Sequence, residues 1–118
     1  MPSAPPPSTP QLRTLDHPDS AEIRLEDVLH ALSDPARLQV VHYLAGGGEA
    51  SCSEIDLAVS KSTSTHHFRV LREAGVIRQV YRGTAKMSCL RRDDLDDLFP
   101  GLLDAVLRAY ETRCARRA

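Results

Sequence analysis

The stretch that decides the fold is residues 60–77, which read Ser-Lys-Ser-Thr-Ser-Thr-His-His-Phe-Arg-Val-Leu-Arg-Glu-Ala-Gly-Val-Ile. Serine often caps the start of a helix and glycine often follows its end, so Ser60 and Gly75 predict a helix that runs through Ala74. Helical spacing places Ser64, His67, Phe68 and Leu71 on one face. Residues between them form a polar, hydroxyl-rich face on the other side. The sequence therefore predicts an amphipathic helix with an unusual outer surface.

Upstream, residues 31–38 read Ala-Leu-Ser-Asp-Pro-Ala-Arg-Leu and mark another helix boundary. Asp34 suits an N-cap, and Pro35 suits the first helical position. The preceding helix, from residue 21, carries the apolar stripe Leu25, Val28, Leu29 and Leu32. The following helix ends at residues 46–48, which are all Gly, and one short helix is expected within residues 51–59.

Downstream, residues 76–81 and 84–90 predict two strands joined at Arg82-Gly83. Asp93 and Asp94 suit the start of a helix. The last helix follows Pro100 and carries the stripe Leu102, Leu103, Val106, Leu107 and Tyr110. This order predicts a mainly α fold with a small β-hairpin, arranged as a winged helix-turn-helix.

The 118 residues suffice for one domain. Residues 1–20 contain six of the eight prolines, and we predict a disordered tail there. The winged helix-turn-helix domain is assigned to residues 21–113, and residues 114–118 are expected to form a mobile C-terminal tail.

The formal net charge of −1 conceals a strong asymmetry. Residues 61–92, called the basic segment below, contain eight Lys and Arg and one acidic residue. Residues 1–60 contain three Lys and Arg and nine acidic residues. A local excess of positive charge favours an anionic partner, with nucleic acid first, although a solvated surface also fits.

Composition excludes several other classes. Aromatic residues make up 4% and Trp is absent, which disfavours a β-sandwich or an aromatic ligand cage. No apolar run approaches the ~18 residues of a membrane span, and the start lacks the pattern of a secretory signal. Three cysteines without a CxxC pair fit a reducing cytoplasm, and no arrangement of residues suggests an enzyme.

Residues 31–38 and 60–77 together closely resemble the ArsR/SmtB family of bacterial transcriptional repressors, and the resemblance covers about residues 22–112. It implies a homodimer formed by the outer helices, which binds double-stranded DNA at an inverted repeat and is released by an effector. Metal-sensing members carry a Cys-x-Cys pair in the third helix, where residues 49–56 contain Cys52 alone. A second family metal site uses His on the last helix, where residues 101–113 contain none. We therefore expect neither a metal site nor a cofactor.

The candidate DNA contacts are polar or basic residues of the predicted recognition helix and wing. They are Lys61, Ser62, Thr63, Thr65, His66, Arg69, Arg82 and Lys86. An ordinary polar surface helix, and wing charges that only protect a sheet edge, are the plainer explanations. His66 and His67 cannot chelate one ion, because adjacent helical residues point about 100° apart; we expect His67 to be structural and His66 to face outward.

The candidate dimer interface combines the stripes of the first and last helices. It consists of Leu25, Val28, Leu29, Leu103, Val106, Leu107 and Tyr110. Alternatively, the two stripes cover each other within one chain. Cys52, if it starts a helix that lowers its thiol pKa, is a candidate redox sensor, while unreactive cysteines are the simpler case.

Two functions remain open at this point. One is a sequence-specific transcriptional regulator in the cytoplasm, associated with the nucleoid, whose effector is unknown. The other is a winged-helix module that binds proteins through its acidic first half and does not bind DNA.

Overall fold

A computed structural model describes residues 13–117 of the chain. Five helices and four strands follow in the order β1 (Arg13–Thr14), α1 (Leu25–Ala31), α2 (Pro35–Leu44), β2 (Ala50–Ser51), α3 (Lys61–Glu73), β3 (Ile77–Arg82), β4 (Ala85–Leu90), α4 (Arg92–Leu98) and α5 (Leu102–Arg117). Single 3-10 turns lie at Ser20–Glu22 and Cys52–Glu54. The predicted mainly α fold with a small antiparallel hairpin is confirmed.

Three local signals set the helix boundaries as the sequence predicted. The Asp34 carboxylate accepts from the backbone N–H groups of Ala36 (2.8 Å) and Arg37 (3.2 Å) at the start of α2. Ser60 Oγ accepts from the N–H of Thr63 (3.2 Å) at the start of α3. Gly75 ends that helix with a φ of +86°, and a Cβ there would lie 2.5 Å from Ile23 Cγ1. Gly75 is thus required both by the turn and by close packing.

The strands form one antiparallel sheet in the order β1-β3-β4-β2. Arg82 pairs with Ala85, so the hairpin turns at Gly83-Thr84, one residue later than predicted. Gly83 has a φ of +64°, and a positive φ at only the first central residue fits the tight turn that matches strand twist.

The core lies between the helices and the sheet. Its fully buried members include Val28, Val40, Leu71, Ile77 and Leu103, contributed by α1, α2, α3, β3 and α5. One compact core of this size fits a single domain. It fixes α3 and the β3–β4 hairpin relative to each other.

The predicted start of the domain at residue 21 is wrong. β1 pairs with β3, placing Arg13 opposite Tyr81 and Thr14 opposite Val80. His17 Nε2 accepts from the backbone N–H of Gln79 (2.9 Å), and the Pro18 carbonyl accepts from the Arg91 guanidinium (2.8 Å). These hydrogen bonds use backbone groups and one imidazole. Residues 13–18 can therefore attach to the sheet although they contain few apolar side chains. Residues 1–12 of the predicted tail lie outside the described residues.

Two further boundaries differ from the prediction. Within residues 51–59 only Cys52–Glu54 form a helical turn, because the Asp56 carboxylate accepts from the N–H of Ala58 (2.9 Å) and Ala58 has a φ of +55°. That local bond competes with helix formation. At the other end, α5 continues to Arg117, so residues 114–117 of the predicted tail are helical.

Candidate nucleic-acid interface

The outward side of α3 presents the six residues predicted to contact DNA there. All six are exposed, and we call this surface the reading face: Lys61, Ser62, Thr63, Thr65, His66 and Arg69. The opposite side of the helix buries His67, Phe68 and Leu71 against the core. Burial of this apolar side fixes the rotation of α3, and therefore which polar groups face solvent.

The first turn of α3 is organised by hydroxyl groups. Ser60 Oγ donates to Thr63 Oγ1 (2.9 Å), and Thr65 Oγ1 donates to the Lys61 carbonyl (2.9 Å). The Thr63 hydroxyl can therefore still donate its proton to an external acceptor. The Thr65 hydroxyl has already donated its proton and can only accept a hydrogen bond. A helix N-terminus that also carries a lysine and a hydroxyl donor suits a phosphate or a base edge.

A buried polar cluster joins α3 to α2 directly below the reading face. Arg37 Nη1 donates to His67 Nδ1 (3.2 Å), and Arg37 Nε donates to the Ala31 carbonyl (2.8 Å). His67 Nε2 lies 3.8 Å from the Asp34 carboxylate. Since arginine cannot accept, the imidazole proton is on Nε2 and faces Asp34. The structural role predicted for His67 is confirmed.

The charge state of Asp34 belongs to this cluster. Burial opposes its ionisation, but the N–H groups of Arg37 and Ala36 and the neighbouring His67 outweigh burial and lower the pKa of the carboxyl.

The sequence analysis assigned no role to Arg37. Its side chain is buried and lies on the same side of α2 as Val40, Val41 and Leu44. An arginine at an inward position of an apolar pattern is the signal that identifies it.

The hairpin carries the two predicted wing contacts, Arg82 and Lys86, in different settings. The Arg82 guanidinium pairs with the Glu49 carboxylate through two hydrogen bonds, of which Nη2 to Oε2 is 2.8 Å. That pairing raises the pKa of Arg82 and lowers the pKa of Glu49. Lys86 Nζ lies 5.7 Å from the centre of the Tyr81 ring. The Glu49 carboxylate competes with a phosphate for the Arg82 guanidinium, whereas Lys86 has no competing carboxylate partner among the described residues.

The surroundings of Cys52 do not favour the predicted thiolate. The residue begins a 3-10 turn of three residues and not an α-helix. Burial instead raises the pKa of Cys52, and Lys86 and Ser88 offset this only in part. Burial likewise raises the pKa of Cys89. Residues 13–117 contain no group of three His, Cys, Asp or Glu side chains arranged to hold a metal ion.

The predicted dimer residues divide into two sets. Val28, Leu103 and Leu107 are buried in the core of their own chain, so their assignment to an interface between chains is wrong. Helical periodicity identifies an apolar face but not which surface covers it. Leu25 and Leu29 are 42% and 45% exposed, and Val106 and Tyr110 are partly exposed. We call these four residues the apolar patch.

The fold and the reading face together define a class, the winged helix-turn-helix proteins that bind DNA. A helix-turn-helix domain family matches residues 32–80. The uncharacterized HTH-type transcriptional regulator YceK of Bacillus subtilis is 34% identical over 82 residues, covering 67% of this chain and 82% of YceK. The transcriptional repressor BigR of Xylella fastidiosa is similar in structure, with a TM-score of 0.52 and 25% identity, covering 64% of this chain and 85% of BigR.

The chain belongs to the ArsR/SmtB-type family of helix-turn-helix transcriptional regulators. It is a DNA-binding transcriptional regulator, as the sequence predicted, and this assignment is preferred over a protein-binding module that does not bind DNA. None of the helices in residues 13–117 is both long and apolar enough to cross a lipid bilayer.

Proposed function

We propose that the chain is a homodimeric repressor that binds an inverted repeat in double-stranded DNA at the nucleoid, and that an effector weakens this binding. The observation that carries the proposal is the reading face, whose six polar or basic residues are all exposed on a helix anchored from below by His67 and Phe68. It lies within the basic segment, beside the hairpin.

In this proposal the N-terminal half of α3 enters the major groove. Ser62, Thr63 and His66 face base edges, while Lys61 and Arg69 pair with phosphates on either side. Lys86 pairs with the backbone beside the wing, and Arg82 joins it by exchanging Glu49 for a phosphate. Contacts to phosphates set the affinity and its salt dependence, and contacts to bases set the sequence preference.

The apolar patch supports the dimer. Leu29, Val106 and Tyr110 line a shallow cavity of about 340 Å³ between α1 and α5, together with Leu32 and Leu38. Large apolar side chains gathered on one surface favour a protein contact. A second copy related by a two-fold axis would place two α3 helices about 34 Å apart, one turn of DNA.

Fluorescence anisotropy with a duplex from the DNA upstream of the gene tests this function. We expect nanomolar binding that weakens steeply with salt, and weaker binding to a duplex whose inverted repeat is scrambled. Equal affinity for both duplexes would contradict sequence-specific recognition. Expression of a reporter joined to the same upstream DNA distinguishes repression from activation.

A further inference from the structure

A cavity of about 630 Å³ opens between the 3-10 turn at Cys52–Glu54, the inner edge of α3 and strand β4. We call it the turn cavity. It lies where the sequence predicted a helix in residues 51–59. Since the chain there makes only one 3-10 turn and then bends at Ala58, it leaves space beside α3. The volume falls in the range of small-molecule sites.

The lining of the turn cavity has two chemical halves. Ile55, Leu57 and Phe68 form an apolar base, and each is at least nine-tenths buried. Lys61, Lys86 and the carboxylate of Asp56 form the charged half. Asp56 accepts from the backbone N–H of Ala58, and neither lysine forms a salt bridge among residues 13–117, so this half has an excess of positive charge. A ligand that matches both halves has an apolar body and one anionic end.

We propose that the turn cavity binds a small organic carboxylate with an aromatic or alkyl body, and that this ligand is the effector that releases DNA. The carboxylate pairs with Lys61 and Lys86, while the apolar body contacts Phe68 and Leu57. The regulatory part of this inference rests on the proposed function. It deepens that function by naming the chemical class of the effector.

The coupling to DNA follows from shared residues. Lys61 and Thr65 belong to the reading face, Lys86 is a wing contact, and all three line the turn cavity. A carboxylate held by the two ammonium groups neutralises charges that otherwise bind phosphates. Bound ligand and bound DNA therefore compete, and each lowers the affinity of the other by the same factor.

Cys52 provides a readout of occupancy that needs no DNA. Its thiol is half-buried in the wall of the turn cavity, whereas Cys114 is exposed on α5. The probe is 4-phenylbutyrate, and its neutral amide is the matched control. Alkylation of each cysteine by N-ethylmaleimide at pH 8.5 is followed by mass spectrometry. We expect millimolar 4-phenylbutyrate to slow alkylation of Cys52 about tenfold and leave Cys114 unchanged, and the amide to protect far less, because an ionic hydrogen bond contributes about one order of magnitude in affinity.

Two serine variants locate the site. Ser64→Leu extends an apolar side chain into the turn cavity, whereas Ser62→Leu places the same side chain on α3 outside it. Protection should be lost in the first variant and kept in the second, with melting temperatures confirming that both fold. Unchanged alkylation of Cys52 at 10 mM probe, a concentration that would reveal even about millimolar affinity, overturns the site. Protection that persists in Ser64→Leu overturns it as well.

A separate titration tests the regulatory part. With the upstream duplex bound, saturating 4-phenylbutyrate should weaken DNA binding about tenfold, as expected when two phosphate contacts are lost. Protection of Cys52 without release of DNA overturns the effector role while leaving the site. If the protein binds no DNA at all, the proposed function fails, and the protection result still decides whether the cavity binds carboxylates.

Discussion

Arg69 is the residue that tests the reading face most directly. It is exposed on α3, and no salt bridge within residues 13–117 involves its guanidinium. We expect Arg69→Ala to weaken binding to specific and unrelated duplexes alike, and to reduce the slope of log affinity against log salt by about one, as for one lost phosphate contact. Anisotropy titrations at several salt concentrations measure both quantities.

Arg117→Ala is the matched control, because it removes the same charge from an exposed site at the end of α5. It should leave affinity and salt slope unchanged. Both variants should melt at the wild-type temperature, since neither side chain is buried. Equal affinity of Arg69→Ala and the wild type would remove Arg69 from the interface.

At the wing, we expect substitution of Glu49 to strengthen DNA binding, in contrast to substitution of Arg69. Its carboxylate holds the Arg82 guanidinium through two hydrogen bonds, so it competes with any phosphate for that group. Glu49→Gln should raise DNA affinity by about threefold to tenfold, because a negative charge leaves and Arg82 is released. In an Arg82→Ala background the same substitution should have a much smaller effect. Equal gains in both backgrounds would show that Arg82 does not contact DNA.

At the level of the elements, we expect β1 and the residues that follow it to stabilise the folded domain. Residues 13–18 attach to the sheet through strand pairing, His17 and the Pro18 carbonyl. Deleting residues 1–18 should lower the melting temperature by about 4–8 °C, because it leaves the N–H of Gln79 and part of the buried Arg91 guanidinium without partners. Deleting residues 1–12 is the control, since it keeps every one of these contacts. Equal melting temperatures for the two deletions would contradict the attachment.

The same attachment should depend on pH. Burial lowers the pKa of His17 from its usual 6.5, and the positive charges of Arg78, Arg91 and Arg72 act in the same direction, outweighing a raising interaction with the Leu15 backbone. The unfolded chain therefore takes up this proton first as the pH falls. The contribution of His17 to stability is complete above pH 6.5 and decreases below it. A protonated Nε2 also cannot accept from the N–H of Gln79.

The measurement is the difference in melting temperature between the wild type and His17→Ala. It should be largest at pH 7.5 and narrow toward pH 5.5. His30→Ala is a useful control, because that imidazole is exposed on α1. A difference for His17→Ala that stays constant over this range would mean that protonation does not weaken the attachment.

These elements also show what the sequence could predict. Asp34, Ser60 and Gly75 act on N–H groups or φ angles within a few residues, so their effects could be inferred locally. The bond from Gln79 to His17 joins residues 62 positions apart, and no local pattern reports such a contact. The short helix expected within residues 51–59 is limited to the 3-10 turn Cys52–Glu54, because the Asp56 carboxylate accepts from the backbone N–H of Ala58 in a turn.

In the candidate site, too, some features could be predicted from the sequence and others could not. Helical spacing correctly predicted that His66 faces solvent and His67 the core, because rotation about a helix axis follows from position. The partners of charged groups could not be predicted. Glu49 and Arg82 lie 33 residues apart, and they meet across β4, which separates β3 from β2 in the sheet. Likewise, no local pattern predicted the turn cavity beside the single 3-10 turn at Cys52–Glu54.

At the scale of the whole molecule, the apolar patch determines how many half-sites are bound at once. Leu25 and Leu29 are large, exposed and on one side of α1. Because their side chains are not part of the chain's own core, Leu29→Asp should leave the monomer folded and remove its association with a second copy. Tyr43→Asp is the matched control, since Tyr43 is 49% exposed on α2 and outside the patch.

Light scattering during gel filtration should give a dimer for the wild type and Tyr43→Asp, and a monomer for Leu29→Asp. The monomer holds one reading face, so it should bind a full inverted repeat no more tightly than a single half-site. The dimer should lose affinity when the half-site spacing is changed by about 5 base pairs, half a helical turn, because its second α3 then faces the wrong side of the duplex. A wild-type monomer at micromolar concentration, or a dimer that tolerates the altered spacing, would contradict recognition by paired helices.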